Sequence, residues 1–440
     1  MSILRLAFAG TAFTAVVIAA AAPTFNREVL PILQKNCQSC HRPGEVAPMS
    51  LLSYSEARPW AKSIKNAVVG KKMPPWFVEV GHLSNDRSLS TAEIATLSAW
   101  ADAGAPEGDA KDKPAPKTFV SGWNIKPDLV IEMPKAFELP ATGTINYKYV
   151  LVKTDFKEDM WISSAEMRPG DTRVLHHGKV WVRPPGSSWM SKAVPGEAYE
   201  RETQSAMMGP NSGEEGNDIL GKFNPGLGAQ DFTVEGAAKF VPKGSDLVFE
   251  LHYTSVGKPA KDASKLGLVL AKNLPQKRYF FNAGPTALNL TIPANDGNAQ
   301  VVSELTVQEP MNLVYAQPHM HLRGKDFELR LIYPSGETET AVKGRFDFEW
   351  QMGYEFAKPI HMPKGTRMVF ISHFDNSANN KFNPDAKETV WWGPQNWDEM
   401  SNLFIGVTVD LKTDVSKVFR PSGPSLQPRG AGGPFLTAEK

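Results

Sequence analysis

The sequence predicts a multidomain fold in which a small all-α domain is followed by two antiparallel β-sandwich domains of the jelly-roll kind. Three observations support this fold class. The chain has 440 residues, and one domain usually takes about 100–200. Apolar residues recur at helical spacing in the first quarter of the chain. Beyond it, short strand-like runs are bounded by Gly, Pro, Asn and Asp, with no helical pattern between them.

Residues 1–22 have the order of a secretory signal peptide. Arg5 supplies a positive charge, Leu6–Ala21 is apolar, and small residues lead up to Pro23. An uncleaved membrane anchor is the alternative, because the apolar run approaches the length that spans a bilayer. The alanines at its end favour cleavage. The mature protein is therefore expected to be exported, to the periplasm, without stable insertion into a membrane.

A covalent haem site is predicted near the start of the segment 23–110. Cys37 and Cys40 are the only cysteines, and His41 follows them directly in the run NCQSCH. This spacing allows two thioether bonds to haem, with the histidine as an iron ligand. A redox pair of thiols is the alternative interpretation. Cysteines of exported proteins normally form a framework of disulfides. Two cysteines confined to one Cys-x-x-Cys-His run cannot form such a framework, which favours haem attachment.

The sequence around this motif predicts short helices and a sixth iron ligand. Helices are expected over Phe25–Gln34 and Ser55–Val69, and a third begins with a capping box at Ser90. The preferred sixth ligand is Met73 in the run KKMPPW, ahead of Met49, with His82 third. The segment resembles class I c-type cytochromes. That resemblance implies electron transfer, because a thioether opposite histidine raises the reduction potential.

Composition divides the rest of the chain. Residues 111–144 are predicted to be a linker, since Lys, Asp, Pro and Gly are frequent there. Strand-like runs then predict one sandwich over 145–275 and a second over 276–415. The tail 416–440 is Gly/Pro-rich and expected to be loose. A net charge of +1 gives no reason to expect a nucleic-acid partner.

Adjacent histidines occur in the first predicted sandwich. His176 and His177 lie in the strand-like run VLHHGKVWV. Neighbouring strand residues point to opposite faces, so both can reach one metal only through a bulge, which Gly178 permits. His252, in LVFELHYTS, is placed on a strand that could lie beside the first. These three histidines are a candidate metal site.

A His-x-His pair occurs in the second predicted sandwich. His319 and His321 lie in AQPHMHLRGK, and alternate strand residues share a face. Either pair alone is accounted for by hydrogen-bonded core histidines, and the residues leave copper, zinc and iron open. His361 and His373 are expected to serve packing or hydrogen bonds to other ligands.

The order of these motifs, followed by a late methionine in WDEMSNLFIGV, resembles the copper type II, ascorbate-dependent monooxygenases. That family includes peptidylglycine α-hydroxylating monooxygenase and dopamine β-monooxygenase, and the resemblance covers residues 145–412. It implies two copper ions facing each other across a cleft, one storing electrons and one activating O2 to hydroxylate a C–H bond. The ligands that it implies are His176, His177 and His252 for the first ion, and His319, His321 and Met400 for the second.

The chain departs from the family at the substrate side. Gln317 stands where the peptide hydroxylase has an arginine, and Phe404 replaces a tyrosine, although Asn402 keeps a polar residue near Met400. A small neutral or aromatic substrate is therefore favoured over a peptidyl-glycine.

The predicted cytochrome domain carries one electron at a time, and a monooxygenase consumes two electrons for each O2. Their fusion in one chain predicts that haem passes electrons to the copper of His176, His177 and His252. An external donor, ascorbate-like or a periplasmic redox protein, is expected to reduce the chain. The alternative is a periplasmic haem/copper electron-transfer or copper-binding protein without oxygenase activity; a soft ligand such as Met400 argues against it. Zinc hydrolysis is a third interpretation. No Asp or Glu stands as a general base within the histidine motifs, which disfavours it.

Overall fold

The computed structural model describes residues 22–45, 47–119, 122–200, 218–393 and 395–421. Most of the predicted signal peptide and the predicted loose tail beyond residue 421 lie outside these ranges. Within them, no helix is both long enough and apolar enough to cross a lipid bilayer.

The α-helices of the described ranges all lie in the first quarter of the chain. They are α1 Leu30–Asn36, α2 Tyr54–Ala57, α3 Ala61–Val69 and α4 Thr91–Asp102. A π-helical turn, Phe25–Val29, precedes α1. The capping box predicted at Ser90 is confirmed, because its hydroxyl accepts from the backbone N–H of Glu93 while the Glu93 carboxylate accepts from that of Ser90.

β-strands form most of the remaining regular structure. Those of the first half are β1 Val78–Val80, β2 Leu129–Glu132, β3 Phe137–Leu139, β4 Lys148–Val152, β5 Met160–Arg168, β6 Leu175–Arg183, β7 Ala198–Glu200, β8 Ile219–Phe223, β9 Gln230–Asp231, β10 Ala237–Val241, β11 Asp246–Tyr253, β12 Ala260–Asp262 and β13 Lys265–Leu270. Those of the second half are β14 Lys277–Thr286, β15 Thr291–Ile292, β16 Ala299–Val307, β17 Met311–His319, β18 Gly324–Ile332, β19 Thr338–Arg345, β20 Tyr354–Met362, β21 Arg367–Phe374, β22 Val390–Trp391, β23 Asn402–Asp410 and β24 Phe419–Pro421.

Two hydrophobic cores organise these strands. In the first half, the sheet β7-β4-β11-β6-β8 packs on β2-β13-β5-β10. In the second half, the sheet β1-β19-β18-β21-β16-β24 packs on β14-β23-β17-β20. Parallel pairing of β10 with β14, in register from Ala237 opposite Lys277, joins β2-β13-β5-β10 and β14-β23-β17-β20 into one sheet, and β9, which pairs with β5, is its ninth strand. The two halves therefore share a sheet.

The predicted fold class is wrong. The protein is mostly β-sheet, and residues 23–110 do not form a small all-α cytochrome c domain, since their α-helices have only 4 to 12 residues. The predicted helix Ser55–Val69 is interrupted by a 3-10 turn, Arg58–Trp60, because Pro59 has no N–H to donate. Residues 23–110 also contain β1, which pairs with β19 at the edge of the second-half sheet. The helical periodicity of this segment did not predict the pairing.

The predicted linker, residues 111–144, also contains regular structure. Strand β2 pairs with β13, and β3 pairs with β12. Leu129 and Ile131 are half-buried and pack on the first core, whereas Val130 is exposed. This alternation is typical of an edge strand. It was not recognised in the sequence because the surrounding Lys- and Pro-rich composition is typical of a linker.

Candidate metal centre

A β-bulge directs the adjacent histidines of β6 towards β11. His177 lies opposite His252 in the antiparallel register, whereas the next residue of β11, Tyr253, lies opposite Leu175. His176 is therefore the extra residue of the bulge. The predicted strand distortion is confirmed, and it allows both imidazoles to lie next to His252.

The three imidazoles have the spacing expected around one ion. Their ring centroids are 5.3 Å (His176–His177), 5.7 Å (His176–His252) and 4.8 Å (His177–His252) apart. Nitrogen ligands at about 2.0–2.1 Å from a tetrahedral ion place imidazole centroids about 5 Å apart. The buried Nε2 of His176 has no hydrogen-bond partner among the described residues. We call these three residues the first histidine group.

The first histidine group is held in the neutral state. Burial lowers the pKa of His252 to about 3 and that of His177 well below its ordinary value, and neighbouring imidazoles add to the shift. His252 Nδ1 lies 3.1 Å from His177 Nε2, which also lies 3.2 Å from the Tyr147 hydroxyl. The Tyr147 ring stacks on His252 with centroids 4.3 Å apart. Neutral imidazoles have the lone pair that a metal requires.

His319 and His321 form the second histidine group at the end of β17. Their ring centroids are 5.2 Å apart. His319 Nδ1 donates to Gln351 Oε1 at 2.6 Å, and His321 Nδ1 lies 3.3 Å from the Asp398 carbonyl oxygen. Each Nε2 is then left without the proton, and that of His321 is buried without a partner in the described structure. Fixing the outer nitrogen in this way is what metal-binding histidines require.

Met400 is tied to the second histidine group through the backbone. The buried Glu399 carboxylate accepts hydrogen bonds from the N–H groups of His321 (2.8 Å) and Met400 (3.3 Å). Burial raises the pKa of Glu399 to about 8. Asn402, which lies opposite His319 in the sheet, donates to the Met400 sulfur at 3.5 Å. Met400 is therefore linked to His321 through Glu399, and its sulfur contacts the residue that lies opposite His319 in the sheet.

The two histidine groups are adjacent. The ring centroids of His177 and His319 are 5.9 Å apart. Both rings line an interhistidine cavity of about 20 Å³, which Gln317 and Phe404 also line. This is room for about one water-sized molecule. The open cleft implied by the family resemblance is thus replaced by a closed contact between the two halves.

The loop between β19 and β20 contacts both histidine groups. The Phe348 ring lies against His176 and His321, with centroids 5.3 and 6.4 Å apart respectively. Gln351 binds His319 as described above, and its carbonyl oxygen accepts from the Gln317 amide at 2.8 Å. This loop was not identified from the sequence.

Trp350 connects the same loop to a second cavity, of about 530 Å³, which it lines together with Cys37, Cys40 and His41. We call it the N-terminal cavity. Its volume lies within the range of about 300–1,000 Å³ typical of ligand and cofactor sites. His41 Nδ1 lies 3.3 Å from the Met49 carbonyl oxygen, which leaves Nε2 to face a ligand. The cysteines form no disulfide, and the residues fit a covalently attached haem.

The three candidate sixth ligands differ in whether they line the N-terminal cavity. Met73 and Met49 both line the N-terminal cavity, so the choice between them stays open. His82 is exposed and is not among the lining residues. Burial raises the pKa of Cys37 to about 12, which makes a reactive redox thiol a poor alternative.

Among the described residues, no group of three or more His, Cys, Asp and Glu side chains is arranged so that it could hold a metal ion as it stands. In the first histidine group, His177 Nε2 and His252 Nδ1 contact each other directly, 3.1 Å apart. The remaining histidines lie elsewhere: His361 Nδ1 is 2.9 Å from Asn312, and His373 Nδ1 is 2.6 Å from Asp326.

Comparisons with known proteins add no function. No family model matches the chain, and no curated protein matches it. Solved structures with partial similarity include infectious bursal disease virus, Gx strain (8% identity over 67% of this chain and 74% of that chain, TM-score 0.19), a putative secreted protein from Eubacterium rectale (9%, 63% and 74%, 0.19) and PNGF-II in the C2 space group (10%, 63% and 64%, 0.26). TM-scores this low support no conclusion about fold or function.

Replacing Gln351 by Leu is expected to weaken copper binding at the second histidine group by about 10–100-fold, because His319 loses the acceptor that orients it. Titration of the metal-free protein with Cu(II), followed by the loss of free copper, would measure this. Gln300→Leu is the matched control, since Gln300 contacts only the outlying His373. Equal affinities in both variants would contradict the orienting role.

Proposed function

We propose that this chain is an exported copper-dependent monooxygenase. It hydroxylates a C–H bond of a small organic substrate with O2 and receives electrons through a covalently bound haem. One observation carries the proposal: His177 of β6, His252 of β11 and His319 of β17 meet in one buried cluster, and Glu399 ties the backbone of Met400 to that of His321. The motif order of the copper type II monooxygenases supports it further.

The donor sets match different tasks. His176, His177 and His252 offer three imidazoles, which suit copper in both oxidation states. His319, His321 and Met400 offer two imidazoles and a soft thioether, which favour Cu(I). Bound copper supplies electron storage at the first set and O2 chemistry at the second. The chain itself orients the imidazoles, keeps them neutral and excludes bulk water.

The N-terminal cavity supports the haem part of the proposal. Cys37 and Cys40 would hold haem through thioether bonds, and His41 would ligate iron, with Met73 or Met49 opposite. Haem supplies one-electron transfer when bound. Trp350 lines this cavity and the next residue, Gln351, hydrogen-bonds His319, so the loop between β19 and β20 connects the cavity to the second histidine group. An ascorbate-like reductant or a periplasmic redox protein would supply electrons from outside.

One observation favours a second candidate, a haem/copper electron-transfer protein without oxygenase activity. The space between the two histidine groups is only about 20 Å³. A substrate could not enter it without movement of the two halves. The experiment below separates the two functions.

The full chain, produced with a haem-attachment system, is expected to carry one haem and two copper ions and to consume O2 with ascorbate as reductant. Met400→Leu is expected to keep Cu(II) but to bind Cu(I) about 10–100-fold more weakly and to lose O2 consumption, because the soft ligand is gone. Met368→Leu is the matched control, since that buried methionine lies in the second core. Metal content, Cu(I) competition and O2 uptake are the measurements.

Three outcomes have different meanings. Zinc, or no metal, in the histidine groups would refute the copper assignment. A chain without covalent haem would refute the haem assignment. Two coppers and haem without O2 consumption would support the electron-transfer candidate instead.

A further inference from the structure

A cavity of about 280 Å³ lies between the two halves, away from the histidine rings. Much of its wall is aromatic or apolar, and we call it the aromatic cavity after the side chains of Phe232, Tyr279, Phe281, Val314, Tyr315 and Phe356. Its volume is just below the range of about 300–1,000 Å³ seen for ligand sites. One aromatic ring with a short substituent is therefore the size of ligand that it can hold.

Lys222 of β8 lies at the inner end of the aromatic cavity. The side chain is buried, and Nζ donates to the Tyr315 hydroxyl and to Gln317 Oε1, each at 2.5 Å. Nζ also lies 4.4 Å from the Phe281 ring centroid. Both oxygen partners are neutral groups, and Lys222 has no ion pair with a described carboxylate. An ammonium group has three donors, so one remains for a ligand. Burial lowers the pKa of Lys222 well below its ordinary value, and a bound anion supplies the opposite charge that favours the ammonium form.

A second buried lysine shows what Lys222 lacks. Lys239 is fully buried and forms an ion pair with Asp218. Buried charges in proteins are normally paired in this way, because an unpaired buried charge strongly destabilises the fold. Lys222 therefore offers an anion a desolvated partner.

The other end of the aromatic cavity is acidic. Asp231 and Glu355 line it and are exposed, whereas Lys222 is buried. These carboxylates lie at the exposed end of the cavity, through which a ligand would enter. They repel a ligand that carries a second anionic group at that end. This polarity favours a ligand with one anionic group at its inner end.

We propose that the aromatic cavity binds a small aromatic acid, with its ring among the aromatic side chains and its anionic oxygens accepting hydrogen bonds from Lys222. That this ligand is the substrate rests on the proposed function. Ile219, Lys222 and Phe281 line both the aromatic and the interhistidine cavities. The acid end of the ligand is therefore separated from His177 and His319 by one layer of side chains.

The test is a calorimetric titration of the metal-free full chain with phenylacetate and with phenylacetamide, which differ in charge and little in shape. Wild type is expected to bind phenylacetate about 10–100-fold more tightly, the range for one charge-assisted hydrogen bond. Lys222→Met is expected to abolish this preference. Lys265→Met, at an exposed lysine paired with Glu132, is the matched control and is expected to keep it.

A second variant keeps the test decisive if Lys222→Met does not fold, which circular dichroism would show. Glu355→Gln removes an exposed negative charge from the cavity wall and is expected to tighten phenylacetate binding several-fold without changing phenylacetamide binding. Equal binding of the two compounds by wild type, or binding of neither, would overturn the proposal. Preference for phenethylamine would overturn it as well, because the carboxylates would then determine the ligand.

The binding test also separates this inference from the proposed function. Binding of phenylacetate by the metal-free chain, with no phenylacetate-dependent O2 uptake by the copper-loaded chain supplied with ascorbate, would support the ligand site and overturn the substrate assignment. O2 uptake stimulated by other compounds, without phenylacetate binding, would overturn the ligand site and leave the proposed function intact.

Discussion

Replacing His177 by Ala is expected to reduce the copper content from two ions per chain to one. His177 is the central member of the first histidine group, with His176 and His252 at centroid distances of 5.3 and 4.8 Å. Its loss leaves only two imidazoles to bind the first copper ion. Since disturbing a residue that only supports a ligand typically costs about 10–100-fold in metal affinity, removing the ligand itself is expected to cost at least about 100-fold.

Metal analysis after dialysis against a weak chelator would measure this loss. His361→Ala is the matched control, because that imidazole contacts Asn312 far from the cluster. The second histidine group should keep its ion, and Cu(I) competition should show its affinity unchanged within about threefold. Loss of both ions would contradict the assignment of two separate sites. It would mean that His177 and His319, 5.9 Å apart, share one centre.

The histidine positions were predictable because each depends on local strand geometry. Alternate strand residues share a face, which predicted that His319 and His321 would lie together; the rings do, although β17 ends at His319 and His321 follows the strand. A bulge was the predicted way for His176 and His177 to converge. Both features are present. What the sequence could not show is that these strands from different halves meet, because that depends on the pairing of β10 with β14.

The missed residues share one property: their roles come from long-range packing. Gln351 lies in a loop with no motif, and it is significant only because His319 lies beside it. Lys222 gave a weak signal, a charged residue within an apolar strand whose neighbours are buried. The fold class failed for the same reason. The helical spacing in the first quarter of the chain predicted helices that are present with 4 to 12 residues, but it could not predict the 3-10 turn at Pro59 or the pairing of β1 with β19.

The metal-free protein is expected to lose stability steeply as the pH falls below 6.5. Burial holds the pKa of His252 and of His319 at about 3, and those of His177 and His321 well below the ordinary 6.5. Between these values the unfolded chain binds protons at four imidazoles that stay neutral when folded. The free energy of unfolding must then fall with pH, by about 1.4 kcal/mol per imidazole per pH unit.

Glu399 acts in the opposite direction. Burial raises its pKa to about 8, so between pH 8 and 4.5 the folded chain holds a proton that the unfolded chain releases. Four imidazoles less one carboxyl leave a net slope of about 4 kcal/mol per pH unit at about pH 5.5 and below, where the unfolded imidazoles are almost fully protonated. Domain stabilities are about 5–15 kcal/mol. The metal-free chain is therefore expected to unfold between about pH 5.5 and 3.

Urea unfolding at pH 7.5, 6.5 and 5.5 would measure this slope. His252→Gln should lower it by about 1.4 kcal/mol per pH unit, whereas His361→Gln, at the outlying histidine, should leave it unchanged. Bound copper should move the acid transition to lower pH, because protons must then compete with the ion for the same nitrogens. A free energy of unfolding that does not change between pH 6.5 and 5.5 would show that the imidazoles are solvated or already protonated, and the cluster could not then be a set of neutral metal ligands.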